Sequence, residues 1–270
     1  MSALNLRAAA LLGALAGAAS AGCADAQAEQ GGLASRVAAA PSDGEVWMRF
    51  ASRPGVCGSE NGISTSRSGE QTIMQHDGRG GRWECIEGPV YVALVRHGGR
   101  IEKVRVRVAR PWSTEGRRVT DLGTVGAREA SEYLLGLAER AREGNVGEEA
   151  IVPATLADSV TTWPALLRMT RNTALPQGTR RSAVFWLSQQ AGDRVTRELS
   201  SFVSEGDDDR EVRKHAVFAL SQRPREEAVP ELVRIARSHR DPEIRKTAMF
   251  WLGQTGDPRA IALFEEILSH

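Results

Sequence analysis

Arg213-Lys214-His215-Ala216-Val217-Phe218-Ala219-Leu220-Ser221-Gln222 has two echoes in its own chain. One lies upstream, Arg180-Arg181-Ser182-Ala183-Val184-Phe185-Trp186-Leu187-Ser188-Gln189. The other lies downstream, Arg245-Lys246-Thr247-Ala248-Met249-Phe250-Trp251-Leu252-Gly253-Gln254. Their central alanines stand 33 and 32 residues apart. Recurrence in the thirties marks stacked supersecondary units, each too small to bury its apolar face alone. Between the copies lie segments with apolar spacing of three and four, over 163–170, 195–203, 229–236 and 261–268. Leu166, Leu199 and Leu232 are again 33 apart, so the unit is helix–turn–helix. One period earlier, 131–140 and 148–157 read as a degenerate first unit that lacks the basic pair and holds Pro153 in its second helix. An end unit that covers a core while facing water takes that form. About four and a half units fit between residues 127 and 270.

The repeat core is Asp-x-Glu-[Val/Ile]-Arg, present as Asp209 to Arg213 and Asp241 to Arg245, followed by Ala, a bulky trio and Leu-Ser or Leu-Gly. Asp209 and Asp241 suit helix N-caps, and Glu211 and Glu243 sit in the first turn, where the helix dipole favours negative charge. These residues resemble the HEAT-repeat family in its short, phycobilin-lyase-type form, over slightly more than half the chain. The resemblance implies an α-solenoid and leaves function open, because solenoids carry many unrelated roles. Its catalytic relatives, the di-iron hydroxylases, need His-Glu dipeptides as ligands. The five histidines here are followed by Asp77, Gly98, Ala216, Arg240 and the chain end, so that dyad is absent. His215 reads as a surface or packing residue.

The second helices share a further pattern. A base stands four residues before each Phe and an amide four after: Arg181-Phe185-Gln189, Lys214-Phe218-Gln222 and Lys246-Phe250-Gln254. Spacing of four lays each trio along one stripe of its helix. Ala183, Leu187, Ala216, Leu220, Ala248 and Leu252 form the neighbouring, inward stripe. Stacked as HEAT arrays stack, the second helices line the concave surface, and the trios form a ladder able to grip a segment of another protein. The competing reading makes the three Phe residues core. Trp186 and Trp251 are expected to pack between units.

The N-terminal half follows a different period. Val46, Met48 and Phe50 alternate with Trp47, Arg49 and Ala51, as in a half-buried strand. Residues 53–69 are rich in Gly, Ser and Asn and read as a loop holding Cys57. Two β-branched runs, 90–96 and 101–108, flank His97-Gly98-Gly99-Arg100, a hairpin signal because both glycines accept positive φ. Val104, Val106 and Val108 share one face of the second run; Lys103, Arg105 and Arg107 share the other. Residues 96–118 hold eight basic residues against two acids. That ribbon reads as a solvated strand face, as a contact for an acidic partner or anionic membrane surface, or as a nucleic-acid face. Export and the lack of a stacking pattern beside the arginines argue against nucleic acid.

Residues 1–26 have the layout of a secretory signal: one early base, the apolar run 8–19, then small residues. Cleavage fits after Ala21 or Ala26. A lipoprotein signal to residue 22, with Cys23 lipidated, is the alternative; Ser20 stands where that motif usually has a Leu-like residue. Cys57 and Cys85 then remain as an even pair, and an oxidising envelope lets them bridge. Closing their 28-residue separation would be worth about 3 kcal/mol. Two free thiols, or a metal site of Cys57, His76, Cys85 and His97, are the other readings; the latter spacing fits no short metal pattern.

Charge is nearly balanced, with 35 basic and 34 acidic residues in 270, which excludes binding through whole-protein charge. Residues 27–118 hold fourteen bases and ten acids, and 119–270 hold twenty and twenty-three, so the halves are suited to dock. No Gly-x-Ser-x-Gly or phosphate-cradling loop appears. The expected fold is α+β: a signal over 1–26, a flexible linker over 27–43, a small antiparallel β domain over 44–118, and a HEAT-like α-solenoid over 127–270. The expected function is a non-catalytic adaptor or scaffold of the bacterial envelope, periplasmic or lipid-anchored. It binds a protein segment, with no cofactor, metal or nucleic acid. An enzyme or ligand-binding protein with its site in the β domain or at the junction, using Cys57, His76 or His97, is the alternative. Oligomeric state is not legible.

Overall fold

The computed structural model describes residues 32–59, 62–67, 70–73, 85–190, 193–205 and 209–269. The signal over 1–26 and Cys23 therefore lie outside the described residues, as does His76. The described residues open with helix α1 (Leu33–Ala39), where a flexible linker is expected over 27–43. Leu33 and Val37, one turn apart, are 1% and 4% exposed. Arg96 donates from Nη1 to the carbonyls of Val37 (2.8 Å) and Ala40 (2.6 Å). A buried cation on the last carbonyls satisfies the helix end and opposes its dipole. An Ala-rich composition hides this docking from sequence reading.

Eight strands follow among the described residues: β1 (Gly44–Phe50), β2 (Val56–Ser59), β3 (Gly62–Arg67), β4 (Glu70–Ile73), β5 (Ile86–Glu87), β6 (Val90–His97), β7 (Arg100–Val108) and β8 (Val119–Thr124). They form two four-stranded sheets, β7-β6-β1-β8 and β4-β3-β2-β5. The Gly98-Gly99 turn has φ of 54° and 79° and joins β6 to β7 as the sequence suggests. Two expectations are corrected. The first sheet is mixed, because β8 runs parallel to β1 and lies beyond residue 118. The segment 53–69 contains β2 and β3, not only loop. Its Gly- and Ser-rich composition carries little strand propensity, so pairing rather than propensity makes these strands. Gly58 lets them approach β7: a Cβ there would meet the Cβ of Val108 at 2.9 Å.

Nine helices follow among the described residues: α2 (Ala127–Arg140), α3 (Val146–Leu156), α4 (Trp163–Arg171), α5 (Gln177–Ser188), α6 (Asp193–Glu205), α7 (Arg210–Ser221), α8 (Arg225–Ser238), α9 (Pro242–Gly253) and α10 (Pro258–Leu268). They pack as α2–α3, α4–α5, α6–α7 and α8–α9, with α10 as a half unit. The second helices α3, α5, α7 and α9 stack in one layer. Ala183, Ala216, Ala248, Leu187, Leu220 and Leu252 are wholly buried, as their stripe requires. The fold is α+β, with a helical array after a β region.

The first unit is degenerate for another reason than facing water. Its helix α3 is buried on most sides, including Val146, Ala150, Ile151, Pro153, Ala154 and Leu156, because it lies between α5 and strand β7. Glu149 Oε2 accepts from the Val104 amide (2.8 Å). The Leu156 carbonyl accepts from Arg53 N (2.8 Å), and Asp158 N donates to Ala51 O (3.0 Å). One continuous apolar cluster runs from Leu33 to Leu263.

Candidate functional site

The capping aspartates hold the ladder helices in place. Asp209 Oδ1 accepts from the amides of Glu211 (3.1 Å) and Val212 (3.2 Å) at the start of α7. Asp241 Oδ1 accepts from Glu243 N (2.9 Å) at the start of α9. Each cap also receives an arginine of the preceding unit: Arg180 lies 3.6 Å from Asp209, and Arg213 lies 3.8 Å from Asp241. Arg180 and Arg213 are buried, so the motif's arginine acts between units as well as within one. The Asp209 and Asp241 carboxyls are held below the usual carboxylate range; burial opposes this, and hydrogen bonds and the arginine charges outweigh it.

The three trios lie on successive helices of the second-helix layer. Arg181, Lys246, Gln222 and Gln254 are exposed; Lys214, Phe185, Phe218 and Gln189 are half-buried. Phe250 is 58% exposed, far from a core residue. Lys214 Nζ pairs with Glu211 Oε1 at 3.1 Å, whereas Arg181 and Lys246 form no ion pair among the described residues. Gln189 and Gln222 donate from Nε2 to the hydroxyls of Ser188 (3.3 Å) and Ser221 (3.2 Å). Those hydroxyls donate to the Phe185 carbonyl (2.6 Å) and the Phe218 carbonyl (2.7 Å). The amides are thereby fixed with Oε1 as the remaining acceptor.

Aromatic rings join the units. Phe218 packs on Trp251 with centroids 4.9 Å apart, and Trp251 meets Phe250 edge-on at 5.0 Å. His215 sits 5.6 Å from Phe218. Trp251 packs between units as expected. Trp186, 3% exposed, is held edge-on by Phe185 at 5.5 Å. At the head of the row, Glu148, Glu149, Arg181, Phe185 and His215 line an open cavity of about 410 Å³. Burial, then the Arg181 charge, holds the His215 imidazole below its usual value, so it is neutral at pH 7.

The remaining candidates are scattered. Cys57 and Cys85 stand at bonding separation, with Cα atoms 5.2 Å apart. His97, at the exposed hairpin tip, puts Nδ1 2.9 Å from Asp43 Oδ1. Among the described residues no three His, Cys, Asp or Glu side chains come together as a metal site.

The basic ribbon differs from its expected form. Arg96 is inside, capping α1. The guanidiniums of Arg105 and Arg107 lie 5.3 and 5.5 Å from the Trp112 ring centre, and Trp112 meets Trp47 at 5.7 Å. An aromatic residue thus does stack beside the arginines. Glu45 gathers Arg105, Arg117 (3.1 Å) and the Trp47 indole N–H (2.7 Å). No spacing rule reveals this cluster, whose members lie up to 72 residues apart.

Compared with known proteins, residues 196–270 match the family described as HEAT repeats. The match covers α6 through α10, the last two and a half units. No curated protein matches the chain.

Proposed function

We propose that this chain, a HEAT-repeat protein by its residues 196–270, is a non-catalytic adaptor that holds a segment of a partner protein against its second-helix layer. HEAT repeats are generally protein-interaction scaffolds and typically not enzymes. The observation that carries the reading is Phe250. A large apolar ring left 58% exposed, in line with Phe218 and Phe185 and flanked by bases and fixed amides, is a contact surface in waiting. Covering such a ring contributes about 2 kcal/mol. The β region supports this role by closing the first unit. Among the described candidate groups of that region, Cys57 stands at bonding separation from Cys85, and His97 meets Asp43.

The place of action in this proposal is the bacterial envelope. The signal-like first 26 residues support export, and so does a cysteine pair at bonding separation. Lipidation of Cys23 is the anchored version. The test is capture from an envelope fraction by the wild-type chain and by Phe250→Ser. An unchanged melting temperature with loss of the captured protein supports the ladder. Capture unchanged in both Phe250→Ser and Phe218→Ser removes it.

A further inference from the structure

The ladder restricts the backbone form of what it can hold. Resting on the partner-binding reading above, we propose that its occupant is an acidic polyproline II segment, with a small apolar residue, typically Pro, every third position and carboxylates on the adjacent stripe. The rings repeat at a fixed spacing. One Phe is presented per second helix, and packed helices lie about 8–10 Å apart. Phe218 and Phe250 both touch Trp251, at 4.9 and 5.0 Å, which bounds their separation to about 10 Å. A polyproline II helix rises about 3.1 Å per residue with three residues per turn, so one stripe repeats every ~9.3 Å. A β-strand covers a similar distance in three residues, but its side chains alternate, and positions three apart face opposite ways. It would meet one ring and miss the next.

An α-helix matches the spacing with every seventh residue, at about 10.5 Å. The amides argue against it. Gln189 and Gln222 each give one Nε2 hydrogen to Ser188 and Ser221, which orients the carboxamide and leaves Oε1 as its acceptor. The interior of an α-helix has no free backbone N–H to donate, whereas a polyproline II segment leaves the N–H of each non-proline residue open. Charge points the same way. Arg181 and Lys246 are exposed and enter no ion pair among the described residues, and they lie on the opposite side of the Phe row from the glutamines. Lys214 shares the row but is already paired with Glu211 at 3.1 Å, so the outer two bases carry the preference for carboxylates. Two adjacent stripes of a polyproline II segment thus meet base and ring, its free N–H groups face the amides, and the third stripe faces solvent.

The test is fluorescence anisotropy with labelled peptides and the full chain. A peptide of four Pro-Pro-Glu units is compared with one of the same composition in which the period of three is broken, with a Pro-Pro-Lys version, and with an acidic α-helical peptide bearing Leu every seventh residue. The Pro-Pro-Glu peptide is expected to bind at least about tenfold more tightly than each of the others, a difference of about 1.4 kcal/mol. Lys246→Glu is expected to remove most of that margin while leaving the melting temperature unchanged, and Phe218→Ala, with Phe250→Ser as the variant safe for folding, to abolish binding. Equal binding of the period-broken peptide, or preference for the helical one, overturns the proposal. If no peptide binds while Phe250→Ser still loses the envelope partner, the polyproline form is wrong and the ladder reading survives. If that variant keeps its partner, the ladder reading itself falls.

Discussion

Replacing Arg96 by Met tests how α1 is held. Arg96 is 8% exposed, and its guanidinium donates to the carbonyls of Val37 at 2.8 Å, Ala40 at 2.6 Å and Gly99 at 3.2 Å. Met keeps much of the stem volume, so packing changes little and the loss falls on the hydrogen bonds. Bonds from a charged donor contribute about 1.5–3 kcal/mol each, and a buried carbonyl left without a partner costs a further share. The Gly99 contact is long and near solvent, so the two helix carbonyls dominate and the expected loss is about 3 kcal/mol. For a fold of this size, that lowers the melting temperature by roughly 6–12 °C. Thermal melts give the magnitude. Limited proteolysis gives the location, because cleavage is expected around residues 33–40 before any cut in the helical array. The control is Arg100→Met on the exposed hairpin turn, expected within about 0.5 kcal/mol of wild type. If Arg96→Met melts with the control and α1 stays protected, the apolar contacts of Leu33 and Val37 alone hold the helix and the capping argument is wrong.

Three other outcomes follow from the geometry. Gly147→Ala would place a Cβ 2.9 Å from Thr179 Cγ2 and close on its hydroxyl, forcing α3 from α5 at a cost of about 1–3 kcal/mol in denaturant titration. Thr179→Ala in the same chain is expected to restore most of it. Hydrogen bonds and charge from Arg259 lower the Asp257 carboxyl from 3.8 to about 2; because the folded value is depressed, its stabilisation is complete above about pH 4 and drains away between there and pH 2. Asp257→Asn should therefore flatten the melting temperature over that window, and an unchanged acid limb would contradict it. In the folded chain, Cys57 and Cys85 should give no thiol titre until reductant is added, and reduction should cost up to about 3 kcal/mol; two reactive thiols before reduction would show the pair unbridged.

The helical array was readable because its information is local. Ala and Leu recur at one period, Asp209 and Asp241 stand where caps are needed, and Gly98-Gly99 marks its turn by the φ it permits. The ladder was readable as spacing: four residues on either side of a Phe is a stripe on any helix. Its exposure was not, because Phe185, Phe218 and Phe250 share a register but differ in cover. Phe218 is covered by Trp251 of the next unit, whereas Phe250 stays 58% exposed. The docking of α1, the parallel pairing of β8 and the Glu45 cluster left no periodic trace. Each joins residues tens of positions apart, and only the folded chain brings them together. The arginines of the repeat were visible as a motif, while their bonds to the next unit's cap appear only when two units are stacked.

The β region shuts one end of the stack. With Glu149 seated on the Val104 amide and Leu156 bound to Arg53, the face that would receive another helix pair ahead of α2 and α3 is already occupied. A copy of the repeat added there would have to displace a sheet, whereas a copy inserted between α5 and α6, or between α7 and α8, meets only surfaces like its own. Duplication can therefore lengthen this array from within while its starting point stays put, and designed variants with one more rung should be built by insertion at those joints.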